Sequence, residues 1–153
     1  MKEIITLEMF TEMMLKSMGE YLQHIEKSKK KKVYFSEKKQ KEALIPVFNI
    51  SRLFNVNPCD VVSKNKSTNL VFVRCVLTVE LIRISNTKTN IGITLLRDHT
   101  TILHSVHNHL SLVRTRNKKY LEYLRLYKNY LKEKGLGKVS VYDKPSGRSL
   151  FTF

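Results

Sequence analysis

Acidic residues are scarce in this chain: 13 Asp and Glu stand against 28 Lys and Arg. Five of them lie in the N-terminal stretch, Glu8, Glu12 and Glu26 among them, where their helical spacing suits a solvated face or partners for lysines. That leaves no clustered carboxylates for nuclease or protease chemistry, and no nucleophile stands beside a base, so no enzyme is predicted. There are two cysteines, Cys59 and Cys75, with no CxxC pair. In a reducing compartment such thiols are expected to be buried. The five glycines are scattered and none sits in a GxxxxGK[ST] setting, which excludes nucleotide hydrolysis by a P-loop. No apolar run approaches the roughly 20 residues of a membrane span. The opening residues "MKEIITLEMF" carry acids early and lack a signal-peptide core. A cytoplasmic, nucleoid-associated protein without membrane contact is the expectation. No internal repeat is present.

What the chain does carry is positive charge, +15 net over 153 residues with a pI near 9.9. A field of that size implies an anionic partner, since self-repulsion otherwise costs stability. Nucleic acid, anionic lipid and an acidic protein are the candidates, beside the bland reading of a merely soluble basic protein. Hydrophobic content of 42% is enough for one ordered domain with a core.

Hydrophobic spacing predicts a mostly α fold. Residues 6–27 read as a helix capped by Thr6, with Phe10, Met14, Met18, Tyr21 and Ile25 on one face. All five methionines lie at or before Met18. Such a face suits a partner, and a homodimer through this helix is one expectation; packing on its own domain is the other. The run "KSKKKKVYFSEKKQK", 27–41, reads as a solvated linker or phosphate-binding arm, with a short strand or turn around Val33–Phe35. Three segments follow from this: 1–32, a Met-rich helix and lysine-rich linker; 44–112, the main helical domain; and 113–153, a basic extension.

In the main domain, "IPVFNISRLFNV" places Val47, Ile50 and Phe54 on one side, with Pro46 expected in the first turn. Asn57 caps a short helix that starts at Pro58. Residues 70–85 are mostly apolar and suit a helix buried on several sides, although their Val and Thr content also suits a strand. Residues 90–96 form one short helix and Asp98 can cap the next, the helix-turn-helix pattern. Residues 112–134 read as one continuous basic helix with a stripe of Tyr120, Tyr123, Leu124, Tyr127 and Leu131, stopped by Gly135 and Gly137. The stripe suits core or interface better than stacking on bases. The tail "KVSVYDKPSGRSLFTF" reads as a small β-hairpin.

The stretch "LLRDHTTILHSV", 95–106, crowds polar side chains into the first turn of an apolar helix. Such groups project past the helix end, where a major groove can be read. Arg97 can donate to guanine and Asp98 can accept from cytosine. His99, Thr100 and Thr101 can meet base acceptors, thymine methyls or phosphate. The alternative is that Asp98 only caps its helix. His99, His104, His107 and His109 cluster as well, but with Asp98 as the only nearby carboxylate and no Cys beside them they suit DNA contact or exposure better than a metal. No metal or cofactor is implied.

"RDHTTILHS" closely resembles the signature of the C-terminal DNA-binding domain of the bacterial replication initiator DnaA, and "ISRLFNVNPCDVVSK", 50–64, resembles that family's first helix and the short helix after it. The resemblance covers roughly residues 45–112, without the initiator's ATPase domain. It implies a DnaA domain IV-like, TrpR-like helix-turn-helix bundle that binds double-stranded DNA at a short DnaA-box-like site. Arg97, Asp98, His99, Thr100 and Thr101 would read bases. Lys66 would enter the minor groove, Arg74 would contact phosphate or base, and His104 would touch the backbone or lock the helix. Leu95 and Leu96 stand where the family has a glycine pair, and "VFVR" replaces an alanine-arginine-proline stretch. Beyond the resemblance, Lys118 and Lys119 are expected on phosphates. Replication initiation or its control is the implied process, with transcriptional control or packaging equally open to an isolated module. The competing class is a non-enzymatic interaction or structural protein whose basic helical scaffold binds RNA or an acidic protein.

Overall fold

The computed structural model describes residues 5–84, 86–135, 142–143 and 148–149. Among them are seven helices: α1 Leu7–Lys29, α2 Glu37–Leu53, α3 Pro58–Val61, α4 Thr68–Arg83, α5 Lys88–Thr94, α6 His99–Arg114 and α7 Lys118–Glu133. The protein is mostly α. The expected tail hairpin falls largely outside the described residues, which include there only a two-residue antiparallel pairing of Tyr142–Asp143 with Arg148–Ser149.

Helix α4 is the hub. Leu70, Phe72, Val73, Cys75, Val76, Leu77, Val79 and Leu81 are all buried, and α2, α6 and α7 pack around it. An apolar surface on nearly every side explains why the segment is helical despite its Val content: no single face alternates as a half-buried strand would. The stripe of α7 packs here too. Tyr120, Leu124, Tyr127 and Leu131 are buried, while Tyr123 stacks on Phe54 at 4.8 Å and meets Phe72 edge-on at 5.4 Å.

Helix α1 belongs to the same core. Thr6 caps it, accepting from the Met9 N–H at 3.2 Å, and Phe10, Met14 and Met18 are buried against α2 and α5. Of the methionine face, Met9 and Met13 stay exposed. The lysine-rich connection is tied at both ends. The Glu26 carboxylate accepts from the Val33 N–H at 3.0 Å, and buried Gln40 donates to the Phe35 carbonyl at 2.7 Å.

Two helix boundaries differ from the sequence expectation. Helix α2 begins at Glu37, where the Ser36 hydroxyl accepts from the Lys39 N–H. Pro46 therefore lies in its third turn rather than its first. The Glu42 carbonyl that loses its donor belongs to an exposed residue, so water can satisfy it. The 112–134 helix is in fact two. Arg116 turns left-handed at φ 54° and the Asn117 side chain caps α7 by accepting from the Tyr120 N–H at 3.0 Å. The break folds α7 back so that Tyr120 reaches His109 of α6, with Nδ1 and Oη 2.6 Å apart in the core.

Candidate nucleic-acid interface

Helices α5 and α6 are joined by the four-residue turn Leu95–Asp98. The turn is drawn tight by the Arg97 N–H donating to the Gly92 carbonyl at 2.7 Å and the Leu96 N–H donating to Ile93 at 3.2 Å. Leu96 takes a left-handed φ of 56°, a geometry that disfavours L side chains by roughly 1–2 kcal/mol. Gly92 permits the turn to lie this close: a Cβ there would stand 2.5 Å from the Arg97 carbonyl oxygen. The turn delivers Asp98 as the cap of α6, its carboxylate accepting from the Thr101 N–H at 2.9 Å and the Thr101 hydroxyl at 3.3 Å. These bonds, led by the Thr101 N–H, hold the Asp98 carboxyl below the usual range, so it is ionised at neutral pH.

Asp98, His99, Thr100 and Thr101 are all exposed. Beside them runs a groove of about 620 Å³ between the 63–66 loop, α4 and α6. Lys66, Arg74, Arg97, Asp98, Thr101 and His104 line it together, although they come from three separate parts of the chain. His99 and Thr100 sit at the helix tip outside that lining. Lys118 and Lys119 are exposed at the start of α7 and take no part in it.

Arg74 organises the groove. Its guanidinium donates to the carbonyls of Val61 at 2.8 Å, Asn65 at 2.6 Å, Asp60 at 3.0 Å and Ser63 at 2.9 Å. Four of the five guanidinium N–H groups are thus engaged by the loop. The arginine thereby braces the loop that presents Lys64 and Lys66, and one N–H is left for the phosphate expected of it. Arg97 also donates to the Ser63 carbonyl, so two guanidinium groups converge on one oxygen. Burial and then the Arg97 charge pull Arg74 below its ordinary range. Two like charges held this closely repel, and an anion placed between them would relieve that repulsion.

Sequence reasoning missed Tyr21, Lys64, Ser105 and Asn108, which also line the groove. Ser105 and Asn108 follow Thr101 at helical steps of four and three, so periodicity could have found them. Tyr21 comes from α1, and nothing in the sequence connects it to Asp98. Burial, then the Asp98 carboxylate, pushes its phenol above the usual range, with Arg97 opposing.

His109 is buried against Tyr120, whereas His104 and His107 are exposed. Among the described residues no three His, Cys, Asp or Glu side chains gather as metal ligands, and no helix is long and apolar enough to cross a membrane. No family model, curated protein or solved structure matches the chain. The likeness to the initiator's DNA-binding domain therefore rests on the residues quoted above.

Proposed function

We propose that this protein is a sequence-specific reader of double-stranded DNA, with α5, its turn and α6 acting as a helix-turn-helix. One observation carries the reading: an open, polar helix tip lies beside a groove in which Lys64, Lys66, Arg74 and Arg97 converge. In this reading the 63–66 loop and Arg74 fix the phosphate backbone, and Arg97 and the α6 tip address base edges in the major groove. His99 and Thr100, whose side chains make no hydrogen bond among the described residues, offer donors and methyls. Asp98 offers its carboxylate to cytosine while it caps the helix. The role is binding, without catalysis. The resemblance makes a short DnaA-box-like site the target and replication initiation or its control the process.

Selection of bound sequences from a random duplex pool tests this. A short enriched box is the expected result, and Asp98→Asn should alter the preference while keeping the cap, since Asn caps helices as well as Asp does. A pool that stays random through selection would sink the specific-reader proposal. Retention of single-stranded RNA or an acidic polypeptide with no duplex bound would favour the interaction-protein class.

A further inference from the structure

The groove leaves much of the positive charge unassigned. Arg114, Arg116, Lys118, Lys119 and Lys132 are exposed around the α6–α7 junction and along α7, and none lines the groove. Helix α6 has 16 residues, so its C-terminal end lies about 24 Å from the reading tip. The groove face of α6 carries Thr101, His104, Ser105 and Asn108. Arg114, six residues past Asn108, points roughly 240° further round the helix. It therefore projects away from the side on which a duplex read by the tip would lie.

We infer that the α6–α7 end is a second, sequence-independent site that takes a separate segment of duplex DNA, making the protein a two-handed linker of DNA. This rests on the duplex-reading proposal for the first site. The chemistry of the face favours a polyanionic rod. These cations of α7 stand at its two ends, Lys118 and Lys119 at the start and Lys132 about 21 Å further along, a span that a stretch of duplex backbone with its regular phosphate charge can bridge. Two acids share the face: Glu122, paired with Arg125, and Glu133. No large apolar side chain of α7 is exposed, and Leu110, one turn before Arg114 on α6, is a single exposed apolar residue, whereas the centre of a protein–protein interface is apolar and depleted in charge. The site can neutralise phosphates and cannot read bases, since it presents long flexible cations without a tip aimed into a groove.

The test is a bridging assay with the full chain. A duplex bearing the selected box is fixed to beads, and a labelled box-free duplex is offered in solution. The expected result is protein-dependent capture of the second duplex. The variant R114Q/K118Q/K119Q/K132Q should lower capture at least tenfold while box affinity stays within about twofold and the thermal midpoint is unchanged. Undiminished capture by that variant overturns the inference. So does a parallel fall in box affinity, which would place these cations on the first duplex. Capture of RNA or polyglutamate in place of duplex overturns it as well. Failure of the reading proposal is a separate readout: the wild-type protein would show no preference for any box on the beads.

Discussion

Substituting Gly92 tests the link between fold and site most directly. The new Cβ of Gly92→Ala would meet the Arg97 carbonyl oxygen at 2.5 Å, so backbone must move by about 0.9 Å to regain ordinary van der Waals separation. Neither partner is a flexible side chain, and the same crossing carries the 2.7 Å bond from the Arg97 N–H to the Gly92 carbonyl. Overpacking costs about 1–3 kcal/mol. Weakening that hydrogen bond adds roughly 0.5–1.5 kcal/mol, and the better helix propensity of Ala returns about 1 kcal/mol. A net loss of about 0.5–3.5 kcal/mol is expected, read as a thermal midpoint lower by roughly 1–14 °C for a chain of this size. Arg97 and Asp98 ride on the displaced segment, so duplex affinity should fall about 10- to 100-fold, a misplacement effect beyond the stability loss. Gly19→Ala in α1 is the control. Nothing lies within 4 Å of a Cβ there, and the variant should gain roughly 0.5–1 kcal/mol. Circular dichroism melts and duplex titrations on both variants settle it. If Gly92→Ala melts at or above the wild-type temperature, as Gly19→Ala should, the close approach of the turn to α5 is refuted.

Four further outcomes follow from the same geometry. Arg74→Gln frees four carbonyls of the 60–65 loop and should destabilise by about 2–4 kcal/mol, lowering affinity for all duplexes alike; a melt within 2 °C of wild type would contradict this. His99→Ala should relax base preference at about 1–3 kcal/mol per lost contact without moving the melt; unchanged preference in a competition assay removes His99 from base reading. Affinity should fall with salt at a log–log slope near −5 if about six phosphates are neutralised, and a flat dependence would argue against backbone contact. Burial pushes the Cys75 thiol up to about 12, so it stays protonated and unreactive to alkylating reagents at pH 8, with half-buried Cys59 reacting first. Because the folded thiol holds its proton more tightly than the unfolded one, its contribution is complete below the unfolded pKa near 8.5 and is lost as pH rises toward 12. Stability should decline over that alkaline window less steeply in Cys75→Ala than in the wild type.

The helical class was legible because α1, α2, α6 and α7 each carry apolar residues at three- and four-residue steps, and because Thr6, Asn57 and Asp98 are recognisable caps. The two misplaced boundaries share a cause. Ser36 and Asn117 are caps set inside lysine- and arginine-rich stretches, where periodicity gave no reason to expect a helix start. The methionine face illustrates a different limit. Its spacing says that one side of α1 is apolar, which fits a partner protein and the chain's own core equally well; only the packing of Phe10, Met14 and Met18 on α2 and α5 decides.

The site divides along the same line. The residues of the α6 tip are contiguous, so their order along the chain was enough to place Asp98, His99, Thr100 and Thr101 at one helix end. Chain order could also place positive charge near Lys66 and Arg74, but not what each cation does. Arg74 became a brace for the 60–65 loop, Arg97 came to share the Ser63 carbonyl with it, and Tyr21 joined the groove from 76 residues upstream of Arg97. Lys118 and Lys119 were carried to the far end of α6. Local pattern is set by neighbours within a turn or two of helix, and sequence records those neighbours directly. Convergence depends on how the helices cross, which is fixed by side chains packing between distant segments.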